Sequence, residues 1–144
     1  MKKFISVLLV LTLCLCLGGC KEETPAEPFA IESYEWEFSM IQDETGTVVY
    51  CSKKNAALYP DAQILELGCD IKNNAILLEA PATDQNWSFA YEVYMDGPSG
   101  TIYNVTVPDT VALASVNLTE YDDGTSAYTL TLAADRYALY FYEK

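Results

Sequence analysis

From Ile31 to the C-terminus, apolar and polar residues alternate with a period of two. That spacing puts one face of a β-strand on a core and the other in water. Tyr34, Trp36, Phe38 and Met40 alternate with Ser33, Glu35, Glu37 and Ser39, which predicts a first strand over residues 32–40. Residues 47–51 form a second short strand. Residues 64–71 and 75–79 flank Lys72-Asn73-Asn74, a polar turn that joins two strands as a hairpin. Trp87, Phe89, Tyr91, Val93 and Met95 make another alternating run, and Gly97-Pro98-Ser99-Gly100 turns the chain into residues 102–107. Pro108-Asp109 precedes a strand over residues 111–121. Asp122-Asp123-Gly124-Thr125 then separates it from the closing strands, 128–132 and 137–141. Only residues 52–62 break the period. Within them residues 54–59, stopped by Pro60, read as one or two helical turns.

Short strands at regular spacing, joined by tight turns with one long connection, predict an all-β fold. An antiparallel up-and-down barrel of about eight strands is favoured, because nearly every connection is short enough to join neighbours and closure removes the sheet edges. A β-sandwich is the alternative.

A different pattern precedes this domain. Met1-Lys2-Lys3 is basic, and residues 4–17 are apolar except for Ser6 and Thr12. That is the layout of a secretory signal peptide, and the run falls short of the roughly 20 apolar residues of a membrane-spanning helix. It ends at Leu17-Gly18-Gly19-Cys20, followed by Lys21-Glu22-Glu23. This stretch resembles the lipobox of bacterial lipoproteins, in which a Leu and two small residues precede a Cys. The resemblance implies that Cys20 receives a diacylglycerol, that residues 1–19 are removed, and that the mature chain is acylated and held at the outer face of the cell membrane. Cys14 and Cys16 lie inside the apolar run, each directly after a Leu, and lack the small neighbours. Residues 21–30, acidic and carrying Pro25 and Pro28, read as a disordered tether that reaches about 30 Å when extended. The expected organisation is therefore signal peptide 1–19, lipidated Cys and tether 20–30, and barrel domain 31–144.

Composition narrows the function. Lys2 and Lys3 leave with the signal, so six of the eight basic residues stand against all 21 acidic ones, a formal charge of −15. Such a surface repels nucleic acid, which is excluded as a partner. Cys51 and Cys69 remain as the two thiols free to pair in a compartment where disulfides persist; each lies in a strand-like segment on the parity of apolar neighbours (Val49 for Cys51; Leu65, Leu67 and Ile71 for Cys69), and they are candidates for a disulfide. The chain has no histidine, the usual general base for Ser or Cys nucleophiles and the commonest metal ligand. No Ser is followed three residues later by Lys. Ser99 sits in a turn. Glu35 and Glu37 would stand about 6.5–7 Å apart on one strand face, near the spacing of an inverting glycosidase pair. Their alternation with Trp36 and Phe38 instead puts them in water. Asp122-Asp123-Gly124 lacks the alternating oxygens of a calcium loop. The domain is therefore expected to be non-enzymatic, with no cofactor and no metal.

Eleven tyrosines are the feature that solubility explains least. Inward-facing Tyr must hydrogen-bond or line a wet cavity. Arg136, the single Arg, reads as an exposed strand-end charge, with stacking on Trp36 as the other reading. The Trp36 strand at the start and the closing Tyr137-x-Leu139-x-Phe141 are similar to the small lipocalin-like domains of bacterial lipoproteins, although Tyr34 stands where classical lipocalins carry Gly. The resemblance implies a cup for an apolar ligand. Two functions follow as expectations. In one, a small apolar or aromatic ligand occupies a cavity lined by Trp36, Phe38, Phe89, Tyr91, Tyr103 and Phe141. In the other, a solid barrel serves the cell envelope as a structural or protein-interaction module, presenting outward residues such as Tyr94, Tyr140 and Tyr142.

Overall fold

A computed structural model describes residues 29–97 and 100–144. The residues expected to form the signal peptide, the lipidation candidate Cys20, most of the expected tether, Pro98 and Ser99 lie outside the described residues.

Ten strands account for most of the described residues: β1 (Trp36–Asp43), β2 (Val48–Cys51), β3 (Gln63–Ile64), β4 (Gly68–Lys72), β5 (Ala75–Ala80), β6 (Gln85–Gly97), β7 (Gly100–Val107), β8 (Thr110–Glu120), β9 (Ser126–Ala134) and β10 (Tyr137–Glu143). From β4 to β10 each strand pairs with the next, and β1 closes the circuit by pairing with β10 on one edge and β4 on the other. The result is a closed, antiparallel, eight-stranded barrel, and closure rules out the sandwich. β2 and β3 lie outside the circuit. β2 pairs with β1 and carries β3 as a parallel neighbour.

Turn chemistry fixes the meander. Asn73 and Asn74 both adopt left-handed φ (53° and 56°) between the paired Lys72 and Ala75. This is the two-residue turn whose twist matches the flanking strands. At the start of β7, Gly100 has φ +140°, and a Cβ there would run into the Val116 carbonyl.

The first strand departs from the expected alternation in two places. Ile31–Ser33 is a 3-10 turn, so β1 begins at Trp36. A bulge between Phe38 and Met40 then resets the register and places Ile41, not Met40, on the cavity side, while Ser39 is covered by the turn that follows β2. Buried Ser39 is satisfied by Asn55, whose Nδ2 donates to its Oγ at 2.8 Å. Asn55 belongs to a 3-10 turn, Lys53–Asn55, where the sequence predicts helical turns.

β1 gives one edge to β10 and divides the other. Trp36 and Glu37 pair with β4, while Met40, Ile41 and Gln42 pair with β2. Beyond that point β4 and β1 are no longer joined. β6 pairs with β5 on one edge through residues 85–90 and with β7 on the other through residues 91–97, so its first half is not joined to β7. The barrel is thus tightly closed at one end and splayed at the other.

Candidate functional site

The closed end is filled. Trp36, Phe38, Ile76, Tyr103, Val116, Leu130 and Phe141 are all buried, and the Phe38 and Phe141 rings meet edge to face at 5.8 Å. The segment from Phe29 to Ser33 lies over this end as a plug. Trp36 Nε1 donates to the Ile31 carbonyl at 3.2 Å, and the Tyr103 hydroxyl donates to the Phe29 carbonyl at 2.8 Å. Glu32 accepts from the Asn74 backbone N–H and from the Tyr91 hydroxyl, each at 2.9 Å. Phe29 stacks on Tyr34 and meets Tyr128 at a tilt.

These contacts explain four of the tyrosines. Burial pushes the Tyr103 hydroxyl up to about 12. Burial also raises Tyr91 above its ordinary value, and the hydrogen bond to Glu32 and repulsion from its charge raise it further. Both hydroxyls are neutral donors that hold the plug, rather than groups poised for proton transfer.

The splayed end is hollow. A cavity of about 510 Å3 opens there, walled by Ile41, Leu65, Leu67, Leu78, Ala80, Phe89, Val107, Ala112, Leu132, Ala134 and Leu139. Trp87 and Tyr50 stand partly exposed at its margin, and Thr83 and Gln85 add the polar lining. The volume falls within the range of small-molecule sites, which are mostly apolar with few polar groups. The hollow exists because the inward positions of the neighbouring strands are small. Ala80, Ala112 and Ala134 are three of them.

Of the six residues expected to line a pocket, Phe89 lines this cavity. Trp36, Phe38, Tyr103 and Phe141 belong to the packed core, and Tyr91 packs against it. The expectation chose the largest inward aromatics, and large side chains fill space where strands converge. The alanines, and the leucines of residues 65–67 in the long connection, carried the better signal.

Other candidate groups are placed elsewhere. Glu37 points outward and pairs with Lys54 at 2.6 Å, and Glu35 reaches Lys144 at 3.8 Å. Arg136 is exposed in a turn at the splayed end, 4.0 Å from Asp135 and at the opposite end of the barrel from Trp36. Asp123 Oδ1 accepts from both the N–H and the hydroxyl of Thr125, which makes it a turn-forming group. Tyr94 is 61 % exposed, whereas Tyr140 and Tyr142 are half-buried. Among the described residues no group of three or more His, Cys, Asp or Glu is arranged to hold a metal ion.

The disulfide expectation is corrected. Cys51 and Cys69 are both free. They sit on the same edge of β1, opposite Met40 and Trp36 respectively. Across the bulge the β10 partners of Met40 and Trp36, Tyr140 and Glu143, are three residues apart, about 10 Å at the usual rise. A disulfide requires Cα atoms within about 7 Å. Shared parity with apolar neighbours reported burial, not proximity.

No protein family, curated protein or solved structure matches the chain.

Proposed function

We propose that this chain is a lipid-anchored lipoprotein of the extracytoplasmic face of the cell membrane, whose barrel binds a small apolar or aromatic molecule without catalysis. The observation that carries the binding reading is the hollow apolar end of the barrel, about 510 Å3 in volume. Burying apolar ligand surface there contributes roughly 25 cal/mol for each Å2 removed from water. The anchor reading rests on Leu17-Gly18-Gly19-Cys20 and the apolar run before it. The two fit together spatially. The chain reaches the barrel through Phe29 at the plugged end, so a tether attached there leaves the mouth at the far end.

The binding test is titration of the purified domain with an environment-sensitive apolar dye, alongside native mass spectrometry of protein taken directly from cells. Saturable dye enhancement, or a co-purifying small molecule, supports the reading. Neither signal would sink it. For the anchor, Cys20→Ala should abolish fatty-acid labelling and release the protein from the membrane fraction. A variant that stays bound and labelled overturns that part.

An envelope interaction module is the second reading, favoured by Val93, Tyr94 and Met95, which are exposed together on β6 near the plugged end. Retention of a specific envelope protein by the wild-type domain, lost on Tyr94→Ser, separates it from the first.

A further inference from the structure

Among the described residues, the cavity wall holds no basic side chain, and its polar groups come from Tyr50, Thr83, Gln85 and the Trp87 indole. Its mouth is bounded by the turns at the splayed end, and those turns are acidic. Asp84 lies between the lining residues Thr83 and Gln85, Asp135 directly follows lining Ala134, and Asp109 comes two residues after lining Val107. Asp43 ends β1 beyond lining Ile41, and Glu44 follows it in the turn. The one base among these turns is Arg136, and its neighbour is Asp135. Among the described residues, Asp43, Glu44, Asp84 and Asp109 have no cationic partner.

Turn geometry alone does not ask for this charge. Asp84, Asp109 and Asp135 occupy left-handed backbone positions, with φ of 54°, 59° and 50°. Asn serves such positions equally well, and at the plugged end Asn73 and Asn74 do so. At the mouth each of the three is a carboxylate instead. Trp87 and Tyr50 at the same margin offer aromatic faces, which attract cations.

Resting on the binding reading above, we propose that the cavity takes a cationic amphiphile, its apolar tail in the barrel and its protonated amine among the rim carboxylates and aromatic faces. Anionic amphiphiles such as fatty carboxylates are disfavoured by the same rim. A bound carboxylate head would find a single base, Arg136, already beside Asp135, among several uncompensated carboxylates. Such charges act additively at low salt and are screened as ionic strength rises.

Decylamine, decanol and decanoate share one tail and differ in head charge, so displacement of a neutral bound dye by each, at neutral pH, reads the rim directly. The expected order is amine, alcohol, carboxylate, with amine and carboxylate differing by at least about tenfold at low salt. The gap should shrink in high salt. It should also shrink in the triple variant Asp84→Asn, Asp109→Asn, Asp135→Asn, which keeps residues suited to all three left-handed turns. Equal binding of amine and carboxylate, or a gap untouched by both salt and the triple variant, overturns the proposal while decanol binding leaves the cavity reading standing. Failure of all three ligands to displace the dye overturns both.

Discussion

Trp36 and Ile31 are joined by a buried hydrogen bond, the indole Nε1 donating to the Ile31 carbonyl across 3.2 Å. It ties the first residue of β1 to the turn that plugs the barrel. Trp36→Phe keeps a large aromatic ring in the core but leaves that carbonyl without its donor. An orphaned buried acceptor costs about 1–3 kcal/mol. Urea unfolding should show a loss of that order, with dye binding at the far end unchanged. A neutral substitution would mean that the plug is not held through this bond.

The same residue marks where the sequence was legible. Trp36 and Phe38 alternate with charged neighbours, and turns such as Lys72-Asn73-Asn74 state their chemistry locally, so strands, order and barrel closure could all be read. What period two cannot encode is a register reset, and the bulge at Ser39 moved Ile41 rather than Met40 to the cavity side. Nor does alternation say which inward positions meet a neighbour. Phe38 and Phe141 are inward and touch each other, while Phe89 is inward and faces a void. That distinction comes from the splaying of β1 from β4, which depends on long-range pairing. The cysteines failed for the same reason. Parity is local, and the distance between Cys51 and Cys69 is set by where each strand meets β1.

The thiols should behave as two independent groups, Cys51 buried and Cys69 half-buried. Cys51 is fully buried, and burial, with the charge of Asp70 beside it, pushes the Cys69 thiol up to about 12. A thiol with so little thiolate at neutral pH is a poor nucleophile. Native protein should therefore resist alkylation, and unfolding without reductant should expose both thiols. Adding reductant should leave the melting temperature unchanged. A mass lower by two hydrogens in the unreduced protein, restored by reductant, contradicts the geometry.

Alkali should unfold this barrel through its tyrosines. Tyr91 and Tyr103 have folded values raised above the ordinary 10.0, Tyr103 to about 12, and Cys69 is raised from 9.0. Each is neutral when protonated, so the folded state holds these protons more tightly than the unfolded chain. The stability they contribute is fully present below the unfolded values and is lost as pH rises through the folded ones. The melting temperature should hold to about pH 9 and decline steeply toward pH 12, with tyrosinate absorbance from buried Tyr103 and half-buried Tyr91 appearing together with unfolding. Tyr103→Phe should flatten the decline. Ionisation of both hydroxyls at ordinary values in a folded barrel would refute it.

Filling the hollow should remove binding without removing the fold. Ala134 lines the cavity near the mouth, on the inward face of β9, and its neighbour Ala133 is exposed on the outer face. Ala134→Trp places an indole into empty space rather than into packed atoms, so the strain of an overfilled core, about 1–3 kcal/mol, is largely avoided. Stability should change by less than about 1 kcal/mol, while affinity for an apolar dye should fall at least about tenfold because the ligand and the indole compete for the same volume. Ala133→Trp adds the same ring one residue away on the opposite face of the strand, and should leave affinity intact. If both variants bind like the wild type, the dye site lies outside the barrel. If both lose binding equally, the loss reflects damage to β9 rather than occupation of the cavity. Only loss in Ala134→Trp with retention in Ala133→Trp assigns the ligand to the barrel's open end.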